Sequence, residues 1–118
     1  MGSAADRRAC FGNTLADPNH DIVVAEVNSE VVGFAHLMTY QDLSHGALAG
    51  ELLALVVRED MRRQGIGTAL LREIIRLAKE RGVGELHVNT EQDNTAARCL
   101  YQSVGANVVG VQLEVELQ

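Results

Sequence analysis

The sequence predicts a mixed α/β domain, and three observations carry that expectation. Two β-branched runs flank a short polar connection. A continuous apolar run then leads through a glycine-bearing turn into an amphipathic helix. An alternating segment follows, and behind it a second amphipathic helix that stops at a glycine. At 118 residues the chain makes one compact domain rather than two. The expected order is β-β-β-α-β-α and one or two closing strands. Residues 4–16, of mixed character, form a candidate short helix ahead of it.

Ile22 to Val27 and Val31 to Tyr40 are the first two strands, joined through Asn28-Ser29-Glu30 as an antiparallel hairpin. Gln41 to Gly46 is polar and reads as a loop. Glu51 to Val57 is short and apolar throughout, the pattern of a strand buried on both faces. The first helix is expected over 68–81. Leu70, Leu71, Ile74, Ile75 and Ala78 form its inner face, an Arg76–Glu80 pair lies outside, and Gly82 stands just past its end. Glu85 to Thr90 alternates as a strand. Asn94 to Val104 is the second helix, with Ala97, Leu100, Tyr101 and Val104 on one face and Gly105 as its stop. Asn107 to Leu117 alternates again and is expected to supply the closing strands.

Composition removes several function classes. Hydrophobic residues make up 47% and charged residues 22%, an ordinary balance for a folded domain. A formal charge of −6 argues against a general nucleic-acid binder and suits a cationic substrate such as an amine. No run approaches the ~18 apolar residues of a membrane span. The first eight residues lack the apolar stretch of a signal peptide, so a cytoplasmic location is expected. Cys10 and Cys99 make neither a disulfide framework nor a metal cluster, and His20, His36, His45 and His87 lack metal-ligand spacing.

The chemistry concentrates at Arg62-Arg63-Gln64-Gly65-Ile66-Gly67-Thr68. A helix N-terminus offers unpaired N–H groups and partial positive charge, so a strand–turn–helix junction holds phosphate. Glycine there lets backbone approach an anion without a Cβ in the way, and two arginines add positive charge. The P-loop pattern is absent. So is G-x-G-x-x-G, because Leu70 occupies the place of its third glycine. Alone, the segment reads more readily as a tight turn with solvated arginines.

A second pattern accompanies it. Arg62 to Gly67 carries [Q/R]-x-x-G-x-[G/A] behind an apolar strand, and Asn94 to Gly105 carries Asn-x-x-Ala-x-x-[Leu/Phe]-Tyr-x-x-x-Gly. With both motifs in this order, residues 22 to 106 resemble the GNAT superfamily, whose members transfer an acyl group from acyl-coenzyme A, usually to an amine. The resemblance implies a largely antiparallel twisted sheet flanked by helices, with one parallel, splayed strand pair. It implies acetyl-coenzyme A as co-substrate, without a metal. Arg62, Arg63, Gln64, Gly65, Ile66, Gly67 and Thr68 would hold its phosphates. Leu55, Val56 and Val57 would lie along the pantetheine arm, with a backbone N–H near Leu55 as oxyanion donor, and Asn94 would bond the pantetheine or simply cap its helix.

The implied reaction needs a proton acceptor for the ammonium and a proton donor for the departing thiolate. Tyr101 is the donor candidate, against the alternative of an amphipathic core tyrosine. Glu51, fourteen positions before Gly65 and at the start of the third strand, is the base candidate, against a solvated strand-end carboxylate. Glu91, Asp93 and water are fallback bases. Cys99 reads as a buried, inert thiol rather than a nucleophile. His36 and His87 fall in strands, with core or surface roles competing against an approach to the acceptor.

The acceptor side departs from the family pattern. Members usually begin with a strand and two helices, whereas here those elements are shortened. Ala106 stands where an aromatic residue is customary, and the tail is short for a two-strand ending. A homodimer completing that side is one expectation, truncation another. The acceptor is a small-molecule or peptide amine. A non-catalytic, coenzyme A-binding regulatory module and a dimerisation scaffold are the competing functions.

Overall fold

In a computed structural model the described residues are 12, 13, 15–90 and 94–117. Four strands form one sheet in sequence order: β1 (His20–Val27), β2 (Glu30–Asp42), β3 (Ala47–Val57) and β4 (Glu85–Val88). The first three are antiparallel and β4 runs parallel to β3, giving the expected mixed sheet. Helix α1 (Ile66–Glu80) joins β3 to β4, and helix α2 (Thr95–Ser103) follows β4. Residues 12, 13, 15 and 16 are helical; the rest of the expected first helix lies outside the described residues.

The hairpin closes more tightly than the polar run suggested. Val27 pairs with Glu30, leaving Asn28 and Ser29 as a two-residue turn with φ of 51° and 65°. Positive φ at both central residues is what a type I′ hairpin turn requires, and its twist matches the strands. Gln41 and Asp42 belong to β2 rather than to a loop, because the ladder runs on through Gln41–Leu48 and Asp42–Ala47.

One face of the sheet is covered by α1. Leu70, Leu71, Ile74 and Ala78 pack there with Ala35, Leu37 and Leu52, and Leu37, Leu71 and Ile74 are completely buried. Each such side chain contributes about 1.5–3 kcal/mol on burial. Leu100, Tyr101 and Val104 of α2 pack against the same cluster. Arg81, at the end of α1, donates Nε and Nη2 to the two oxygens of Asp21 at 3.0 and 2.6 Å, fastening the helix to β1.

The opposite, outer face carries Val24, Phe34 and Val56 exposed. Expectation and structure part here. β3 is not buried on both faces: Leu53 and Val56 are 44% and 46% exposed, because helix packing covers only one side. The ladder also slips at Leu53. His36 pairs with Ala54 and Leu37 with Leu52, so Leu53 is an extra residue, a β-bulge.

The tail corrects a second expectation. Residues 107–117 form no strand, and Val108, Val109, Val111, Leu113, Val115 and Leu117 are all more than three-quarters exposed. Alternation suits a strand only where a neighbouring strand supplies hydrogen bonds and a face to bury, and here none does.

Candidate functional site

The turn ahead of α1 combines strained backbone with an open helix end. Arg63, a non-glycine residue, sits at φ 65°, and Gly65, the N-cap, at φ 83°. Left-handed conformations at a turn aim successive N–H groups into a concavity that suits an anion. A non-glycine residue held there costs about 1–3 kcal/mol, a strain that clusters at functional sites. No side chain caps the helix, and its first turn has no acidic residue. The N–H groups and dipole of the first turn, Ile66-Gly67-Thr68, are thus left for a ligand. The helix begins at Ile66 rather than Thr68, so Ile66 and Gly67 form its first turn.

Arg62 is exposed, but its Nε donates to the Val57 carbonyl oxygen at 3.1 Å. That bond ties the turn to the end of β3 and directs the guanidinium. A Cβ on Gly67 would lie 3.6 Å from Leu100 Cδ2 and 3.9 Å from Val57 Cγ2. The turn, the end of β3 and the middle of α2 therefore meet at one point.

β4 shares rungs with β3 only from Ala49–Glu85 to Leu52–Val88. Beyond that rung, Leu53 to Val57 has no strand beside it on that edge among the described residues. The bulge lies where the two strands part. Unpaired backbone of this kind accepts an extended ligand through main-chain hydrogen bonds. Leu55 and Val57 turn their side chains towards the core, and Val56 faces outward. A ligand along the edge would therefore meet these three residues chiefly through backbone.

Tyr101 and Glu51 lie on opposite sides of this opening. Tyr101 packs on the core side, and burial pushes its phenol above the ordinary value of 10.0. Glu51 lies inside β3 rather than at its start, on the outer face between Met38 and His87. Its Oε1 accepts a hydrogen bond from Asn89 Nδ2 at 3.0 Å. Asn94 caps α2, its Oδ1 accepting from the Ala97 N–H at 3.1 Å. Cys99 is exposed rather than buried, because it falls on the outer side of α2. Glu91, Asp93 and Cys10 lie outside the described residues.

Sequence reasoning named His36 and His87 singly but missed Tyr40, Glu85 and the gathering of these groups around Glu51. Tyr40 Oη lies 3.4 Å from His87 Nδ1, and Glu85 Oε2 lies 3.4 Å from His87 Nε2. His20 Nδ1 meets His36 Nε2 at 2.8 Å on the same outer face. The available signal was strand alternation: Glu85 and His87 share one parity on β4, as do His36, Met38 and Tyr40 on β2. Among the described residues, no three His, Cys, Asp or Glu gather to hold a metal. No helix there is long and apolar enough to cross a membrane.

Known proteins share this arrangement. Residues 3–106 match the family model described as the acetyltransferase (GNAT) family. The chain is 35% identical over 104 residues to N-alpha-acetyltransferase RimI of Mycobacterium tuberculosis, covering 88% of this chain and 63% of that protein. It is 33% identical over 87 residues to human N-acetyltransferase 8, covering 74% of this chain and 38% of the relative. It thus spans well under half of that human relative and less than two thirds of the mycobacterial one. A crystal structure of a transcriptional regulator from Bacillus halodurans C-125 superposes with a TM-score of 0.90 at 24% identity, covering 96% of this chain and 76% of the other. That likeness speaks for the fold.

Proposed function

The chain belongs to the acetyltransferase (GNAT) family, and from that premise we propose that it transfers an acetyl group from acetyl-coenzyme A to a primary amine by direct attack. The observation that carries the reading is the junction at Gly67. There an uncapped helix N-terminus, the free edge of β3 and the tyrosine-bearing helix converge.

In this reading the pyrophosphate lies on the N–H groups from Gly65 to Thr68, with Arg62 and Arg63 beside it and Gln64 in the same turn. The pantetheine runs along Leu55 to Val57, bonding their backbone, with the Asn94 side-chain amide as a further partner. Its thioester reaches the opening beyond Leu52. A backbone N–H near Leu55 receives the oxyanion. Such a donor is typically worth about 2.7–4 kcal/mol in the transition state. The amine arrives from the outer face, where Glu51 takes its proton. Tyr101, on the core side, gives a proton to the departing thiolate. Its burial supports that role by keeping the phenol protonated.

Among primary amines, the α-amino group of a peptide is the acceptor we favour, because a relative matched over 88% of this chain is named an N-alpha-acetyltransferase. The test is release of free coenzyme A thiol from acetyl-coenzyme A, with short peptides of varied N-terminal residue beside small amines and amino acids. Peptide-dependent release supports the whole reading. Release with small amines alone overturns the peptide assignment. Calorimetric binding of coenzyme A without release on any acceptor overturns catalysis and leaves a ligand-binding module.

A further inference from the structure

The proposed reaction has a proton balance that the residues named so far do not close. An ammonium and a thioester give an amide, a free thiol and one proton. The C–N bond forms, the C–S bond breaks, Tyr101 protonates the thiolate sulfur, and the second proton lost by the nitrogen restores Tyr101. The proton first taken from the ammonium enters neither product, so it must leave the site in every cycle. Glu51 takes it in the reading above, on which this inference rests, and Glu51 must be returned to carboxylate before the next amine.

The outer face holds a group suited to that exchange. One rung of the sheet runs Met38–Glu51–His87 across β2, β3 and β4, and the next rung on the same face, two positions along, runs Tyr40–Ala49–Glu85. Neighbouring strands lie about 4.8 Å apart, so the Glu51 and His87 side chains rise side by side from one face. Ala49 is the reason Tyr40 can join them. Its methyl group leaves room for the phenol ring to cross β3, bringing Tyr40 Oη to 3.4 Å from His87 Nδ1. On the other edge of the ring, Glu85 Oε2 stands 3.4 Å from Nε2. The imidazole is thus flanked from all three strands: by Tyr40 of β2, Glu51 of β3 and Glu85 of β4. The His87 side chain is 38% exposed and that of Glu85 73%, so the far side of the ring opens to water. Asn89 holds Glu51 Oε1, which leaves Oε2 to receive the proton.

We propose that His87 is the second proton carrier of the reaction: it accepts the proton from the Glu51 carboxyl and passes one to solvent beside Glu85, while Tyr40 holds the ring. Imidazole is the side chain whose ordinary titration range spans neutral pH, so it can take and return a proton within a cycle. The proton enters at Nδ1, where the 3.4 Å contact with Tyr40 Oη gives way, and Nε2 releases its own to water beside Glu85. Exchange with that water then restores the starting tautomer, so the ring ends neutral and ready for the next cycle. Tyr40 is a positioning residue. Burial, then the charges of Glu51, Asp42 and Glu85, push its phenol above the ordinary value, so it remains a neutral partner for the ring.

The experiment compares His87→Gln, Tyr40→Phe and Glu51→Gln in the full chain, with kcat and KM for acetyl-coenzyme A measured across pH and with added imidazole. For His87→Gln, kcat should fall roughly tenfold, less than the hundredfold or more for loss of a direct base, with KM unchanged. Added imidazole should restore the rate in proportion to its concentration. Tyr40→Phe should lower kcat by a smaller factor at the same KM. A wild-type kcat in His87→Gln, or a loss that imidazole leaves untouched, overturns the carrier role. If Glu51→Gln keeps the wild-type pH profile, the assignment of Glu51 as base has failed and the carrier role goes with it. If Glu51→Gln is impaired while His87→Gln is not, only the carrier role has failed.

Discussion

Gly33 of β2 and Val56 of β3 approach so closely that no side chain fits between them: a Cβ on Gly33 would stand 2.8 Å from the Val56 carbonyl oxygen and 3.3 Å from Leu70 Cδ1. The first obstacle is backbone, which cannot rotate away. Gly33→Ala should therefore destabilise the fold by about 1–3 kcal/mol, as overpacking does elsewhere, read as a lower midpoint in urea unfolding. An unchanged midpoint would mean that β2 and β3 can separate there without cost.

Gly67 presents the opposite case. An added Cβ meets only ordinary contacts with Leu100 and Val57, and alanine favours the helix by up to about 1 kcal/mol over glycine. Gly67→Ala should fold at least as stably as the wild type and, since the motif admits alanine at this position, keep its affinity for coenzyme A, whereas Gly65→Val, a Cβ at φ 83° in the turn itself, should bind it roughly tenfold more weakly or worse. Calorimetric titration beside a thermal melt separates the two effects. Undiminished affinity in Gly65→Val would remove this turn as the phosphate site.

Tyr101→Phe keeps the ring that packs against the core and removes only the hydroxyl. Turnover should fall by roughly one to two orders of magnitude, with little change in the Kd for coenzyme A. Because burial raises the phenol, the wild-type protein should keep this acid mostly protonated at pH 10. The midpoint of any activity loss traced to Tyr101 should lie above that pH. Turnover at the wild-type rate in the variant ends the proton-donor assignment.

Burial, followed by the neighbouring His20 ring, lowers the His36 imidazole below its ordinary 6.5. The unfolded chain then takes up this proton before the folded one does. The contribution is fully present above about pH 6.5 and declines as pH falls towards the folded-state value. His45, raised by its bond to Asp42, acts with the opposite sign. The readout is therefore the difference between wild type and His36→Gln in unfolding free energy at pH 7.5 and 5.5. The wild type should lose more stability across that interval; parallel losses would contradict the sign.

The tail offers a prediction of insensitivity. Val109, Val111, Leu113 and Val115 touch too little to stabilise the fold, with exposures of 79–88%. Replacing all four by serine should move the unfolding free energy by less than about 0.5 kcal/mol per site, as expected for surface positions. A larger loss would show that the segment packs in solution.

What the sequence revealed depended on how local the cause was. Both helices were legible because their signals lie within a few residues: the apolar stripe of α1, Gly82 and Gly105 past the ends, and Asn94 as a cap. The first three strands were found but drawn short, since Gln41, Asp42 and Ala47 to Gly50 are strand only by virtue of each other, and the fourth was drawn two residues long, because its pairing with β3 ends at Val88. The tail failed for the same reason in reverse: its alternation is sound, but pairing is a property of two segments. The glycine turn ahead of α1 and the place of Tyr101 on the core side of α2 could be read from motifs. The cluster of Tyr40, His87 and Glu85 around Glu51 could not, because it is assembled across three strands from residues as far as 47 positions apart.

The extra residue at Leu53 makes β3 a strand with two parities. Upstream of it, Leu52 faces the helix and Glu51 the open side; downstream, Leu55 and Val57 face the helix and Val56 the open side. An uninterrupted strand would put Glu51, Leu55 and Val57, all odd-numbered, on one face, and the carboxylate would be driven under α1. Deleting Leu53 would therefore do more than shorten the chain. It would oblige the strand to choose between keeping its core and keeping its acid in the open, so this position should tolerate substitution far better than deletion.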